Sequence, residues 1–132
     1  MQIDIAKLIL RLTLGGLTLL HGIAKLMAGP AMITGMMTKH GLPGAFGYLV
    51  YVGEVIAPIL LIVGVWTRAA ALVVVINMIV AVALVHMGQL GQLNQQGGWA
   101  VELQAFYLYT AVAIALLGAG RYSVGGSGGR WN

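Results

Sequence analysis

Four side chains that can exchange protons or donate hydrogen bonds lie within or at the edge of apolar segments of this chain. They are His21, Lys25, Glu54 and Glu102. A histidine near a carboxylate can take up and release a proton near neutral pH, because the reference pKa of imidazole is about 6.5. A lysine ammonium donates hydrogen bonds to carbonyl or carboxylate oxygens. Ionisable groups in apolar segments are costly and usually mark functional sites, so we predict catalytic roles for these four residues.

The composition is that of an integral membrane protein. Of 132 residues, 60% are hydrophobic and 8% are charged, whereas soluble domains have about 25% charged residues. The basic residues are scattered, which is not the pattern of a nucleic-acid-binding surface. The chain has no cysteine, so disulfides, Cys–X–X–Cys redox motifs and thiolate metal sites are excluded. Any redox role therefore needs a bound cofactor or a partner protein.

Four apolar segments are long enough to cross a bilayer, and they define the predicted fold. They cover residues 5–27, 45–65, 69–86 and 101–117. Within lipid the backbone groups must pair inside each segment, so the segments should be helices. We expect one all-α domain over residues 1–124, an integral membrane bundle of four transmembrane helices. Residues 125–132 have the Gly/Ser-rich composition of a flexible linker, of the kind that cloning adds.

The distribution of lysine and arginine predicts the orientation of this bundle. One side carries five such residues, namely Lys7, Arg11, Arg68, Arg121 and Arg130, and the other carries Lys25 and Lys39. The positive-inside rule therefore places both termini in the cytoplasm, with a dual or inverted topology as the alternative. Arg11 should lie close enough to the cytoplasmic interface for its side chain to snorkel to the headgroups.

The rise per residue of a helix predicts two layers of polar side chains in the outer half of the membrane. Lys25, His86 and Glu102 should share the outer layer, and His21, Tyr51 and Glu54 the layer below. The predicted ligand-binding residues are His21, Lys25, Tyr51, Glu54, Asn77 and His86. The alternative is a structural role, in which the same groups form ion pairs and hydrogen bonds that hold the helices together. The depth difference between the two histidines disfavours haem, a zinc or copper site has weak support, and we predict no metal site.

Short motifs along residues 5–124 resemble those of the DoxX family. The motifs are Arg11–Leu12–X–X–Gly15, His21–Gly22–X–X–Lys25, Gly53–Glu54, Gly64–X–X–Thr67–Arg68, Glu102 and Gly118–X–Gly120–Arg121–Tyr122–Ser123. The resemblance implies a small four-helix protein of the bacterial or archaeal inner membrane, related to the small subunit of a membrane thiosulfate:quinone oxidoreductase. The family often has an aspartate shortly after the Tyr–Ser pair. Here Val124 and Gly125 follow Ser123, so a role for that aspartate has no support.

Together these features predict a multi-pass inner-membrane protein that acts as a redox-associated, quinone-interacting subunit. The sequence does not identify a cofactor, and quinone is the candidate for one. The candidate partners are the lipid bilayer, an oxidoreductase subunit and a second copy of the chain. The first alternative is a non-catalytic membrane anchor or assembly subunit for a partner oxidoreductase. A lesser alternative is transport of a small solute, for which four helices would have to oligomerise.

Overall fold

A computed structural model describes residues 1–29, 31–41, 43–44, 48–83, 91–93, 97–98, 100–126 and 128–132. His86, which the sequence places in the candidate site, lies outside these residues. The described helices are α1 (Gln2–Ala28), α2 (Ala31–Lys39), α3 (Tyr48–Tyr51), a π-helical segment (Val52–Ile56), α4 (Ala57–Val63), α5 (Thr67–Ala81) and α6 (Glu102–Leu117). The prediction of an all-α fold is confirmed. None of the helices in the described part of the chain is both long enough and apolar enough to cross a membrane.

The helix bounds differ in places from the predicted segments. Residues 5–27 lie within α1, and residues 101–117 coincide with α6 to within one residue. Residues 45–65 contain three successive pieces, because α3, the π-helical segment and α4 follow one another without a break. Where the sequence predicted one helix with a kink at Pro58, the chain changes its helical geometry near Glu54.

The core lies where α1, α4, α5 and α6 meet. Its fully buried side chains include Leu14 of α1, Leu61 of α4, Val74 of α5 and Ile114 of α6. Buried alanines occur at positions 70 and 71 of α5 and 111 of α6, and the contact between these two helices is the most extensive among the described elements. Small side chains let two helix backbones approach closely, so this pair packs tightly.

Two glycines of α1 allow it to lie directly against the π-helical segment and α4. A Cβ atom on Gly22 would lie 2.0 Å from the carbonyl oxygen of Glu54, and one on Gly15 would lie 2.9 Å from that of Pro58. No larger residue fits either position without moving one of the helices. The order of these contacts shows that α1 runs antiparallel to residues 48–63.

Proline accounts for the change of geometry before α4. Pro58 has no N–H, so it cannot donate to a carbonyl of the preceding turn. In the turn just before it, the N–H of Ala57 bonds to the carbonyl of Val52, five residues back. Such single-turn π-helical segments are frequently found at functional sites. Glu54 lies within this one.

The prediction that Arg11 snorkels to the headgroups is wrong. Its side chain is fully buried and donates hydrogen bonds to the carbonyl oxygens of Leu61 at 2.9 Å, Ile62 at 3.2 Å and Ala119 at 3.0 Å, and to that of Tyr122. The last carbonyls of a helix have no partner within it and carry the negative end of its dipole. The guanidinium therefore finds acceptors inside the protein, at the end of α4 and after α6.

The C-terminal residues pack against helix ends, in contrast to the flexible linker that their composition predicts. The Asn132 side chain is buried, and its Oδ1 accepts a hydrogen bond from the backbone N–H of Thr67 at 2.9 Å. The N–H of Arg68 donates to the carbonyl of Trp131 at 2.8 Å. No side chain next to the start of α5 caps it, so these contacts satisfy two of its first backbone donors.

Candidate functional site

The centre of the candidate site is an ion pair between α1 and the π-helical segment. The Nζ atom of Lys25 lies 2.6 Å from Oε1 of Glu54. The Glu54 side chain is 5% exposed, whereas that of Lys25 is 35% exposed. The pair thus has a buried carboxylate at one end and a partly exposed lysine side chain at the other.

Residues of α3 and α5 hold this pair in place. Asn77 of α5 donates a hydrogen bond from Nδ2 to the same Glu54 oxygen, Oε1, at 3.3 Å. The Tyr51 hydroxyl donates to the Lys25 backbone carbonyl at 3.4 Å. A Cβ atom on Gly53 would lie 2.7 Å from Cβ of Asn77, so α5 also packs closely against the π-helical segment. Three helical elements therefore converge on one carboxylate.

The second carboxylate oxygen has no such support. Oε2 of Glu54 is buried and has no hydrogen-bond partner in the described part of the structure. The Thr18 hydroxyl, one turn before Gly22 on α1, is also buried without a partner there. A buried acceptor left without a donor costs about 1–3 kcal/mol. The site can therefore gain free energy by taking a hydrogen-bond donor at Oε2.

His21 faces a different neighbour from the one that the sequence predicted. Its exposed ring packs edge-on against the ring of Tyr107 on α6, with centroids 5.9 Å apart. Glu54 is paired with Lys25 and not with His21. The structure therefore brings together four of the predicted site residues, Lys25, Tyr51, Glu54 and Asn77, and directs His21 toward α6.

Glu102 lies in another part of the molecule, at the exposed start of α6. Its Oε2 lies 2.6 Å from the position of a Cβ atom on Gly98, and Lys25 is bonded to Glu54 instead. Glu102 also borders an open, largely apolar groove of about 610 Å³ along α6. The groove is lined by Leu10, Glu102, Ala105, Phe106, Tyr109, Thr110 and Ala113. Within the described ranges, no three His, Asp or Glu side chains gather as metal ligands would.

Two features were not predicted, the π-helical segment and the lack of a partner for the Thr18 hydroxyl in the described part of the structure. Pro58 was a usable signal for the first, because the N–H that it lacks would have bonded to a carbonyl at or next to Glu54. Thr18 lies on the same face of α1 as Arg11 and Lys25, which is a weaker signal. Threonine hydroxyls in helices usually bond to their own backbone, so burial without a partner could not be anticipated.

Comparison with known proteins gives one match. The sequence model of the DoxX family matches residues 6–87, more than half of the chain. The matched region contains Lys25, Tyr51, Glu54 and Asn77, and it ends before Glu102. Neither the comparison with curated proteins nor that with solved structures gives a match.

Proposed function

Since this chain belongs to the DoxX family, we propose that it is a multi-pass inner-membrane protein whose Lys25–Glu54 pair binds the head group of a quinone. DoxX proteins are membrane-associated, which is the premise of the proposal. The chain would act as a redox-associated subunit, with both termini in the cytoplasm. Because it has no cysteine, electrons would reach the quinone from a partner subunit.

The observation that carries the proposal is the arrangement of the Glu54 carboxylate. One oxygen accepts bonds from Lys25 and Asn77, while the other is buried and lacks a donor in the described part of the structure. A buried ion pair is weak evidence for stability, because desolvation offsets most of the attraction. A binding role explains why Glu54 lies in a π-helical segment, and why the side chain of Lys25 is partly exposed.

The donors and acceptors of the pair fit the polar edge of a quinone. An ammonium group has three N–H donors, and Lys25 uses one of them on Glu54. A remaining N–H can bond to a quinone oxygen, and Oε2 of Glu54 can accept a hydroxyl proton. When bound, a quinone supplies the capacity to carry two electrons together with two protons. Tyr51 and Asn77 would hold the two charged side chains in position.

The exposed side chains support the placement in a membrane. Large apolar residues are more than half exposed on α1, α5 and α6, among them Leu20, Ile76, Phe106 and Leu116. Scattered apolar side chains are normal on soluble proteins, but large exposed apolar surfaces mark contact with lipid or with partners. With lipid hydrocarbon around these faces, the Lys25–Glu54 pair would be a polar group in apolar surroundings, to which a quinone head group can bind.

A non-catalytic anchoring subunit is the second candidate, and the hydrogen bonds of Arg11 favour it. Arg11 is fully buried and joins α1 to the end of α4 and to the segment after α6. This arrangement stabilises the helix assembly. If the Lys25–Glu54 pair acts in the same way, the protein serves only to hold a partner enzyme at the membrane.

Quinone content distinguishes the two candidates. The protein is purified in mild detergent, and bound quinone is measured by absorbance and mass spectrometry. We expect quinone in the native protein, and a loss of it in Glu54→Gln and Lys25→Met. Asp4→Asn and Lys39→Met make the same chemical changes away from the pair and should retain quinone. Absence of quinone from the native protein, with quinone-linked respiration unchanged in both pair variants, would contradict the proposal.

A further inference from the structure

The two oxygens of the Glu54 carboxylate differ in what they can still bind. Oε1 accepts from Lys25 Nζ at 2.6 Å and from Asn77 Nδ2 at 3.3 Å. Oε2 is buried and receives no hydrogen bond in the described part of the chain. An ionised carboxylate only accepts hydrogen bonds. A group that approaches Oε2 must therefore bring a donor.

The backbone around the pair keeps this asymmetry in place. Gly22 lies against the Glu54 carbonyl, and Gly53 lies against the Asn77 side chain, each closer than any Cβ atom would allow. A turn of the carboxylate by 180° only exchanges its two equivalent oxygens. In either orientation both protein donors bind at the same position, and the other oxygen is left without a donor in the described part of the chain.

We infer that the site distinguishes the two redox forms of its ligand and prefers the reduced form, the quinol. This inference rests on the proposed function and adds the redox state of the ligand. A quinol hydroxyl donates to Oε2 of Glu54 and can also accept a bond from Lys25. A quinone carbonyl has no hydrogen to donate, so its oxygen and Oε2 would repel each other. Only Lys25, whose side chain is 35% exposed, suits the quinone form.

The preference should be at least about tenfold in Kd. A hydrogen bond to a charged acceptor typically contributes about 1.5–3 kcal/mol, and about 1.4 kcal/mol corresponds to tenfold in affinity. The affinities of ubiquinol-1 and ubiquinone-1 can be compared by anaerobic titration calorimetry, with the protein in lipid nanodiscs. The dimethyl ether of the same quinol serves as a third ligand, because it has the quinol's shape but no O–H. It should bind no better than the quinone.

Glu54→Gln gives a sharper result than simple loss of binding. Lys25 and Asn77 should draw the amide oxygen of the new side chain to the position of Oε1, which leaves the amide N–H₂ at the position of Oε2. The variant would then offer a donor there. Its affinity for both forms should fall, because the ion pair with Lys25 is lost, and its remaining preference should reverse in favour of the quinone. Asp4→Asn makes the same change at a carboxylate bonded to the backbone of Arg121, and it should keep the native preference.

The outcomes separate this inference from the proposed function. Equal affinity for quinol and quinone in the native protein overturns the inference but leaves quinone binding intact. Tight binding of the dimethyl ether also overturns it, and this result needs no variant to fold. Failure of all three ligands to bind overturns both the inference and the proposed function.

Discussion

Replacement of Arg11 by methionine should destabilise the protein more than replacement of any other charged residue near the end of α4 and the segment after α6. The guanidinium donates to four buried or part-buried carbonyls, those of Leu61, Ile62, Ala119 and Tyr122. Methionine fills a similar space but has no donor. At the lower limit of about 1 kcal/mol for each carbonyl left unpaired, the free energy of unfolding should fall by about 4 kcal/mol.

The assay is unfolding in detergent micelles by added sodium dodecyl sulfate, followed by circular dichroism. Arg11→Lys should lose about 2 kcal/mol, because a compact ammonium group keeps the charge but cannot span carbonyls of two separate segments. Lys39→Met is the matched control, since Lys39 is exposed on α2. It should change the unfolding free energy by less than about 0.5 kcal/mol.

A small effect at Arg11 would refute this reasoning. If Arg11→Met lowers the unfolding free energy by less than about 1 kcal/mol, these hydrogen bonds do not hold the helix ends together. The same conclusion follows if methionine and lysine give equal losses, because the charge and the geometry of the guanidinium would then be irrelevant.

Three further changes test the helix contacts and the ion pair. Gly22→Ala places a Cβ atom 2.0 Å from the carbonyl of Glu54, so it should lower the free energy of unfolding in detergent by about 2 kcal/mol. Gly16→Ala is the control. Nothing lies within 4 Å of its Cβ, so it should be neutral or slightly stabilising. In a double-mutant cycle of Lys25→Met and Glu54→Gln, the coupling energy should be about 1–2 kcal/mol, and additive effects would show that the pair contributes nothing to stability. Asn132→Ala should lower stability by about 1 kcal/mol and speed hydrogen exchange at the start of α5; unchanged exchange would mean that the side chain does not act as a cap.

The helical elements were largely predictable from the sequence. Apolar runs that end at glycine, proline or polar loops determine most of where the helices begin and end. The first and fourth predicted segments fall on α1 and α6. The division near Glu54 was harder to foresee. It depends on how the chain redistributes its hydrogen bonds around Pro58, and several local arrangements satisfy the same sequence.

The partner of Lys25 was mispredicted because depth was estimated from Cα positions alone. Side chains on a helix point back toward its N-terminus, so a residue covers the turn before its own. Lys25 therefore extends to the level of Gly22, where α1 touches Glu54. Glu102, which the estimate placed in the same layer as Lys25, lies against Gly98.

Arg11 shows a different limit of reasoning from sequence. Its acceptors are backbone carbonyls, which every residue has, so no residue type indicates them. They come from positions 50 to 111 residues further along the chain. Only the three-dimensional arrangement of the helices shows that the cation is satisfied inside the protein.

The same hydrogen bonds constrain the order in which the protein can fold during its synthesis. At about 5–20 residues per second, a ribosome needs roughly 6 to 22 s to advance from Arg11 to Tyr122, 111 residues later. Throughout that interval, Arg11 of α1 lacks at least one of the four carbonyl acceptors that it has in the folded protein. Helix α1 can therefore reach its final position only after α6 has emerged from the ribosome. A nascent chain that stalls before residue 119 should be a substrate for quality-control proteolysis.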